Sequence, residues 1–439
     1  MDISVTAAAG TDTGAVMHEL LAPLAARGVA PDFVSVHLGS AHDAGTALAA
    51  TARLAPRALH GATSSRGVMT GSGALFRDRD RGDGPANGVA NGVANGAASG
   101  ASGGAAGGAA GGGIGVFAIW DAEGDYGTGR AALDGDARAA GRLATERALA
   151  AAGRQGEAPD LVWLSAVPGA EEAIVAGIEA VVGPNTPILG GSAADDNVSG
   201  DWKVMDATGS SGDGVVVSVL FPSGAVSTAY QSGYTPTGTA GTVTRAEGRV
   251  VHEIDGRPAG AVYAGWTGGA VAGPGEAATS ILAESTFFPL GRAVATVSDV
   301  PFHLLAHPAE MRPDGGLGLF AEIAEGEVLQ LMAGSVEGLT GRAGRVAAQA
   351  AQGAQGAQGA PGARHGTSGA GALAGGLVIY CGGCMMAVQD HMDSVAADID
   401  AALGGAPWLG IFTFGEQGSV IGGQNRHGNL MISCATFSR

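Results

Sequence analysis

The stretch DLVWLSAVPGAEEAIVAGIEAVVGPNTPILGGSAADD, residues 160–196, decides the fold class. Its first apolar run, LVWLSAV, predicts a buried strand. Pro168 and Gly169 then open a helix, with Glu171 and Glu172 in the first turn, where the helix dipole favours carboxylates. Ile174, Ile178 and Val181 make an apolar stripe, and Gly183 ends the helix. A second strand over PILGG runs into Ser192 and Asp195. Strand, helix and strand in so short a span predict an α/β fold.

Working outward, the same alternation recurs. PDFVSVHLG (31–39) reads as a strand, DAGTALAATARLA (43–55) as a helix and RALHGATSS (57–65) as a strand. GIGVFAIWD (113–121) is another strand, with an Ala-rich helix near 130–152. GVVVSVLFPSGAVSTAYQSGY reads as two strands joined by a hairpin turn at Pro222–Gly224, and a second hairpin centres on Glu247–Gly248. A helix near 259–266, strand patches at 293–298, 316–323 and 326–334, a strand at 376–381, a helix at 385–403 and strands at 408–414 and 429–437 complete the chain. The expected architecture is two domains, 1–228 and 229–439, with mixed β-sheets flanked by helices.

Two segments interrupt this pattern. Residues 82–113 repeat Asn-Gly-Val-Ala and then Gly/Ala; residues 347–376 hold AAQAAQGAQGAQGAPGA followed by Gly/Ala/Ser. Such composition buries too little apolar surface to offset chain entropy, so both are expected to be disordered insertions.

Three places share a plan. APRALHGATSSRG, NTPILGGSAADD and APWLGIFTFGEQG each take an apolar strand into glycine and hydroxyl or acidic residues. Glycines at strand ends let backbones approach and expose N–H groups, and strand ends are where α/β sheets bind ligands. The recurrence points to a pocket.

Bulk properties exclude several classes. With 439 residues and 46% hydrophobic content the chain can bury real cores, while 79 glycines imply extensive loop. The net charge of −18 and the lack of any basic run argue against nucleic-acid or membrane-surface partners. Lys203 is the single lysine, so no phosphate-binding Gly-Lys-Ser/Thr loop exists. No secretory signal or membrane-length apolar run is seen. Three cysteines fit a reducing, cytoplasmic setting.

The C-terminal third raises a separate question. VIYCGGCMMAVQDHM (378–392) places Cys381 and Cys384 at a strand-to-helix turn with His391 nearby. Helix-terminal amides favour a thiolate, so a redox dithiol fits the spacing. Zinc would need Cys381, Cys384, His391 and Cys434, and no second close pair supplies it. Cys381 with His391 or His427 could also make a nucleophile and base. The reading preferred is a pocket-lining turn with its supporting helix, in a protein that is not an enzyme.

These motifs resemble the FIST family. RALHGATSSRGVMTGSG and PILGGSAADDNVSGDWKV, followed by DGVVVSVL, are similar to landmarks of the FIST N-terminal domain. GTVTRAEGRVVHEIDGRPAGAVY resembles the opening of the FIST C-terminal domain. YCGGCMMAV, PWLGIFTFGEQG and HGNLM resemble its closing signature. Cys384 and the two insertions depart from that pattern. The resemblance implies a cytoplasmic small-molecule-sensing module of signal transduction, binding an amino-acid-like ligand and acting through a separate signalling protein. It also implies an alternative, a haem-binding nitric-oxide sensor with His391, His427 or Cys381 as axial ligand, while the acidic surface and the long insertions permit a ligand-free interaction scaffold. No cofactor is otherwise expected. The ligand-binding positions it implies are Thr63, Ser64, Gly67, Gly190, Gly191, Ser192 and Asp195 in the first domain. In the second they are Cys381, Gly382, Phe412, Thr413, Phe414, Gly415, Glu416 and Asn429. Glu416 is expected to take a cationic or amino group.

Overall fold

A computed structural model describes residues 1–76, 112–297, 299–357, 372–420 and 423–439. The α/β expectation holds: three six-stranded mixed sheets and a fourth, nine-stranded antiparallel one are flanked by helices.

Each six-stranded sheet is built on one parallel strand–helix–strand unit. The first unit is Phe33–Leu38, Ala44–Thr51 and Ala58–Thr63. The second is Leu161–Ala166, Glu171–Val182 and Ile188–Ser192. The third is Leu373–Cys381, the helices Gly382–Ala387 and Met392–Ala402, and Trp408–Thr413. These second strands carry the three recurring strand ends. Past each end the chain leaves its own sheet and forms a short hairpin on the neighbouring one. Gly67–Thr70 leaves the first unit and pairs with Trp408–Thr413 of the third. Val204–Asp206 leaves the second and pairs with Ala58–Thr63 of the first. Glu416–Val420 leaves the third and pairs with Ile188–Ser192 of the second. The exchange is cyclic, so the molecule is a three-fold repeat whose copies hold one another's sheets.

The remaining elements complete the repeats. Asp2–Ala9 with helix Thr13–Ala25, Asp125–Ala131 with helix Ala137–Ala152, and Val226–Ser232 with helix Val336–Ala357 precede the three units in turn. The fourth sheet, spanning Thr235–Ala333, is inserted between the first strand and first helix of the third repeat.

The repeat explains two departures from the sequence reading. Val215–Phe221 and Val226–Ser232 are not a hairpin. The first pairs with Asp125–Ala131 and Leu161–Ala166, the second with Met431–Ser438, because the Pro222–Gly224 turn carries the chain from one sheet to another. Residues 347–357 are helix, not disordered insertion, and Ala347, Ala350, Ala351 and Ala354 are buried. Small side chains at helical spacing let this helix lie close to strands Val226–Ser232 and Met431–Ser438. Composition alone could not separate such a packing face from a linker. Gly113 and Leu373–Gly376 likewise belong to strands. The rest of both segments, 82–111 and 358–371, lies outside the described residues. The expected boundary at 228–229 falls inside the strand Val226–Ser232.

Alternation along the strands sorts side chains between two layers. Inward residues of all three sheets make one central core, with Phe33, Phe117 and Ile119 meeting Trp163, Leu189 and Leu220, and Ile379, Leu409 and Phe437. Each such large side chain contributes about 1.5–3 kcal/mol by burial. Outward residues meet the helices, as Val34, Val36 and Leu38 do with Val16, Met17 and Leu20. The central core also holds a polar network. His60 bonds Ser218 Oγ at 2.9 Å and Ser165 Oγ at 2.8 Å. His37 bonds Ser35 Oγ at 2.9 Å, and that hydroxyl also accepts from the Trp163 indole.

Candidate functional site

Because each unit hands its strand to the next, the three strand ends converge. Ala194 N–H donates to the Thr63 carbonyl at 3.1 Å, and Ser65 N–H to that of Phe412 at 3.0 Å. Ser192 N–H donates to Gly415 O at 2.8 Å, and Phe414 N–H to Ser192 O at 3.1 Å. Residues far apart in sequence and expected to share a pocket are therefore brought together.

Most of them are consumed by the junction itself. Ser64 Oγ donates to Gly67 O and accepts from Phe412 N–H. Thr63 Oγ1 accepts from Lys203 N–H. Gly190 and Gly191 do not offer free amides: their strand pairs with Gln417 and Glu416. A Cβ on Gly191 would fall 2.3 Å from Thr413 Cγ2, so glycine here permits strand contact rather than ligand contact. Asp195 is buried, and its carboxylate accepts backbone N–H bonds from Asn197 through Asp201, tying down its own loop.

Glu416 is turned inward, which removes it from the expected amine-binding role. Its carboxyl accepts from Thr413 Oγ1 at 2.8 Å and Met431 N–H at 3.0 Å. Burial, reinforced by the Cys381 thiol, pushes its pKa well above the ordinary carboxylate value, which favours the protonated form. Cys381 itself lies at the end of a buried strand. Burial and the hydrogen bond with Cys384 drive its thiol well up, outweighing the Cys384 and Gly383 backbone amides. The thiolate expected of a redox dithiol is thus disfavoured, and all three cysteines are free. Cys384 Sγ meets Tyr234 Oη at 3.5 Å.

The inserted module covers this junction and brings groups the sequence reading missed. Arg249 Nη2 bridges Glu171 and Glu172 at 2.6 Å each. Burial works to raise Glu171, but Arg249, His427 and Ser192 outweigh it and hold the carboxyl at about 2. Glu171, Glu172 and His427 approach one another closely enough to bind a metal, yet the guanidinium already supplies the cation between the carboxylates. His427 Nδ1 accepts from Gln417 Nε2 at 3.0 Å, and its Nε2 donates to Phe320 O at 3.2 Å. His307 and Asn429 meet where the module touches the third repeat. His307 N–H donates to Asn429 Oδ1 at 3.2 Å, and Asn429 N–H to Leu305 O at 3.0 Å. Half-buried aromatic rings surround the junction, with Phe320 against His307 and Trp202 against Phe414. Arg249 lies within the quoted stretch GTVTRAEGRVVHEIDGRPAGAVY and Phe320 within the strand patch 316–323, but neither they nor His307 stood out as site residues, because they belong to the module and reach the junction only in three dimensions.

None of the three expected haem ligands stands free to take an axial position. His391 is exposed on the turn Gln389–His391, both His427 ring nitrogens are engaged, and the Cys381 thiol is buried against Glu416. Zinc fails likewise: Cys434 faces the core from strand Met431–Ser438, away from an exposed His391. Two surface depressions, beside Asp136 and Arg142 and beside Asp160 and Asn185, contain none of the junction residues.

Comparison with protein-family models matches the FIST N domain over residues 32–257 and the FIST C domain over residues 259–419. The chain belongs to the FIST family. FIST domains are associated with sensory signal transduction. The FIST N match takes in the first two strand–helix–strand units, and the FIST C match takes in the third together with most of the inserted module. The converging strand ends are thus shared between the two FIST segments. No curated protein matches the chain. Among the described residues no helix is long and apolar enough to cross a membrane.

Proposed function

We propose that this FIST protein is a sensor that binds a small, amino-acid-like molecule where the inserted module covers the three strand ends, and that it signals through a separate protein. The observation that carries this reading is the pairing of a hydrogen-bonded junction with a covering module that leaves buried polar groups unsatisfied there. Asn429 Nδ2, His307 Nε2 and Gln417 Oε1 have no protein partner. Buried polar groups are ordinarily bonded, and leaving one unmade costs about 1–3 kcal/mol. Three at one seam mark a place prepared for a polar guest.

Binding rather than catalysis is the role proposed. The Cys381 thiol is buried with a raised pKa, and neither His391 nor His427 bonds to it. A ligand held between module and repeats would contact both and shift their relative stability, which is what a sensor needs to change a partner's affinity. Native mass spectrometry of gently purified protein, compared with its denatured mass, tests the reading. A small molecule lost on denaturation is the expected result. A protein that carries none, and whose unfolding temperature no amino acid or amide raises, refutes it.

A further inference from the structure

We propose that the inserted module is a hinged cover, fixed to the third repeat and closed on the second unit by a latch that Arg249 makes with Glu171 and Glu172. The inference goes beyond ligand binding, because it says how the covered junction opens, whichever molecule occupies it.

Two kinds of seam hold the module. Against the third repeat the seam is apolar: Leu304, Leu305 and Met332 of the module share one buried cluster with Met385, Leu430 and Met431. Both covalent connections lie on this side as well. The chain enters the module from strand Val226–Ser232 and leaves it into helix Val336–Ala357. Glycines let the two connections cross closely. A Cβ on Gly233 would fall 2.6 Å from Gly338 O, and one on Gly338 would fall 2.6 Å from Gly233 O. Two adjacent connections beside an apolar contact make the axis about which a rigid body turns.

Against the second unit the module has no such core. Among the described residues, no buried apolar cluster contains side chains of both. What joins them is polar. Arg249 Nη2 stands 2.6 Å from Glu171 Oε2 and from Glu172 Oε2, and Glu322 N–H donates to Glu172 Oε1 at 2.9 Å. His427, on the hairpin that extends the second unit's sheet, donates to Phe320 O at 3.2 Å. An apolar seam stays shut in water because opening it exposes hydrocarbon. An ion pair at a rim trades its partners for water or for another charged group at far smaller cost. The latch sits at such a rim: Arg249 is 19% exposed and Glu172 22%, with Glu171 behind them at 2%.

The charges make this seam a switch. Two carboxylates share one guanidinium, so losing Arg249 leaves Glu171 as a buried charge without its cation, which drives the surfaces apart. Burial would raise the Glu171 carboxyl, but Arg249 and His427 hold it at about 2. Protonation therefore does not release the latch near neutral pH, whereas a competing charged group does. Opening parts His427 from Phe320 and uncovers Gln417, which bonds His427 through Nε2 and has no protein partner at Oε1.

The test reads distances between spin labels in the full-length protein by double electron–electron resonance. One pair, at Ala180→Cys in the second unit and Ala324→Cys in the module, spans the latch. A second pair, at Ala401→Cys in the third repeat and Ala324→Cys, spans the fixed seam. All three positions are exposed, and the native cysteines are buried. With Arg249 present each pair should give one distance. Arg249→Ala should give the first pair a second, longer distance holding most of the population, and leave the second pair unchanged. Methylguanidinium should refill the space and restore the short distance saturably, which sodium chloride at equal concentration should not do. Glu172→Gln, which keeps Glu171 paired, should open a smaller share, and decides alone if Arg249→Ala does not fold. An unshifted first pair in the folded variants, equal lengthening of both pairs, or opening that methylguanidinium does not reverse overturns the proposal. If the first pair never moves while native mass spectrometry finds a bound molecule, the sensor reading survives and the latch does not.

Discussion

Acidification tests the central core most directly. His37 is wholly buried between the sheets, and burial pulls its pKa from 6.5 to about 3, against a weaker backbone contribution at Ala62. The unfolded chain takes up this proton near 6.5 and the folded chain only near 3, so the unfolded state binds more protons between those values. Stability is therefore complete above pH 6.5 and falls as pH drops through that window. At pH 5 the loss from this residue alone is about 2 kcal/mol relative to pH 8. His60, lowered by burial and then by its neighbour His37, acts in the same direction. His37→Phe removes the titration and keeps a ring against Trp163, while Ser35 Oγ still accepts from the indole. The variant should be less stable at pH 8, since it loses the bond to Ser35. Its urea midpoint should nevertheless decline less between pH 8 and pH 5, by an amount equivalent to about 2 kcal/mol. Parallel declines in both proteins would refute the claim that His37 is held neutral in the core.

Other consequences are checked by similar means. Glu416 has the opposite sign: its folded pKa is raised, so holding its proton costs stability that grows as pH rises above 4.5. Glu416→Gln should be more stable than wild type at pH 8 in urea denaturation, with the advantage shrinking towards pH 5; a constant deficit at both would show the carboxyl ionised. Arg249→Met leaves Glu171 buried without its cation and should cost about 3–5 kcal/mol, seen as a large fall in unfolding temperature. A loss below 1 kcal/mol would mean the seam between module and repeats is not held by this pair. Asp195→Ala should destabilise by about 2–4 kcal/mol and open residues 197–201 to hydrogen exchange, because one carboxylate organises that loop. Unchanged exchange would return Asp195 to the ligand.

The sequence made the units legible and their assembly illegible. Residues 160–196 carry every local signal of a strand–helix–strand unit, from Pro168 and Gly169 to Gly183, and the structure places its helix at Glu171–Val182. The three polar strand ends were visible as a recurring motif, and they meet. What their glycines do was misread, because Gly191 abuts Thr413, a contact no local pattern encodes. Glu416 was expected to meet a ligand's amino group at a polar strand end; here the strand beyond it enters another sheet and carries it inside. Asn429 was found through resemblance, whereas its partner His307 falls between the strand patches and motifs read in the inserted module. The Ala/Gln repeat at 347–357 misled because alanine serves equally for a linker and for the closest helix packing.

The cyclic exchange of strands has a consequence for how the chain is made. The amide of Phe412 bonds the hydroxyl of Ser64, 348 residues earlier, and among the described residues the hairpin Gly67–Phe76 has its sheet partner only in Trp408–Thr413. As the chain leaves the ribosome this hairpin must wait, unpaired, for almost the entire sequence to follow. The second unit likewise waits for Glu416–Gly428 to cover the edge at Ile188–Ser192. The FIST N segment is therefore not a body that can be cut free and kept: severed before the third repeat it retains open strand edges, the form of surface from which chains aggregate. Ring closure comes last, and the place where it closes is the place the ligand is proposed to occupy.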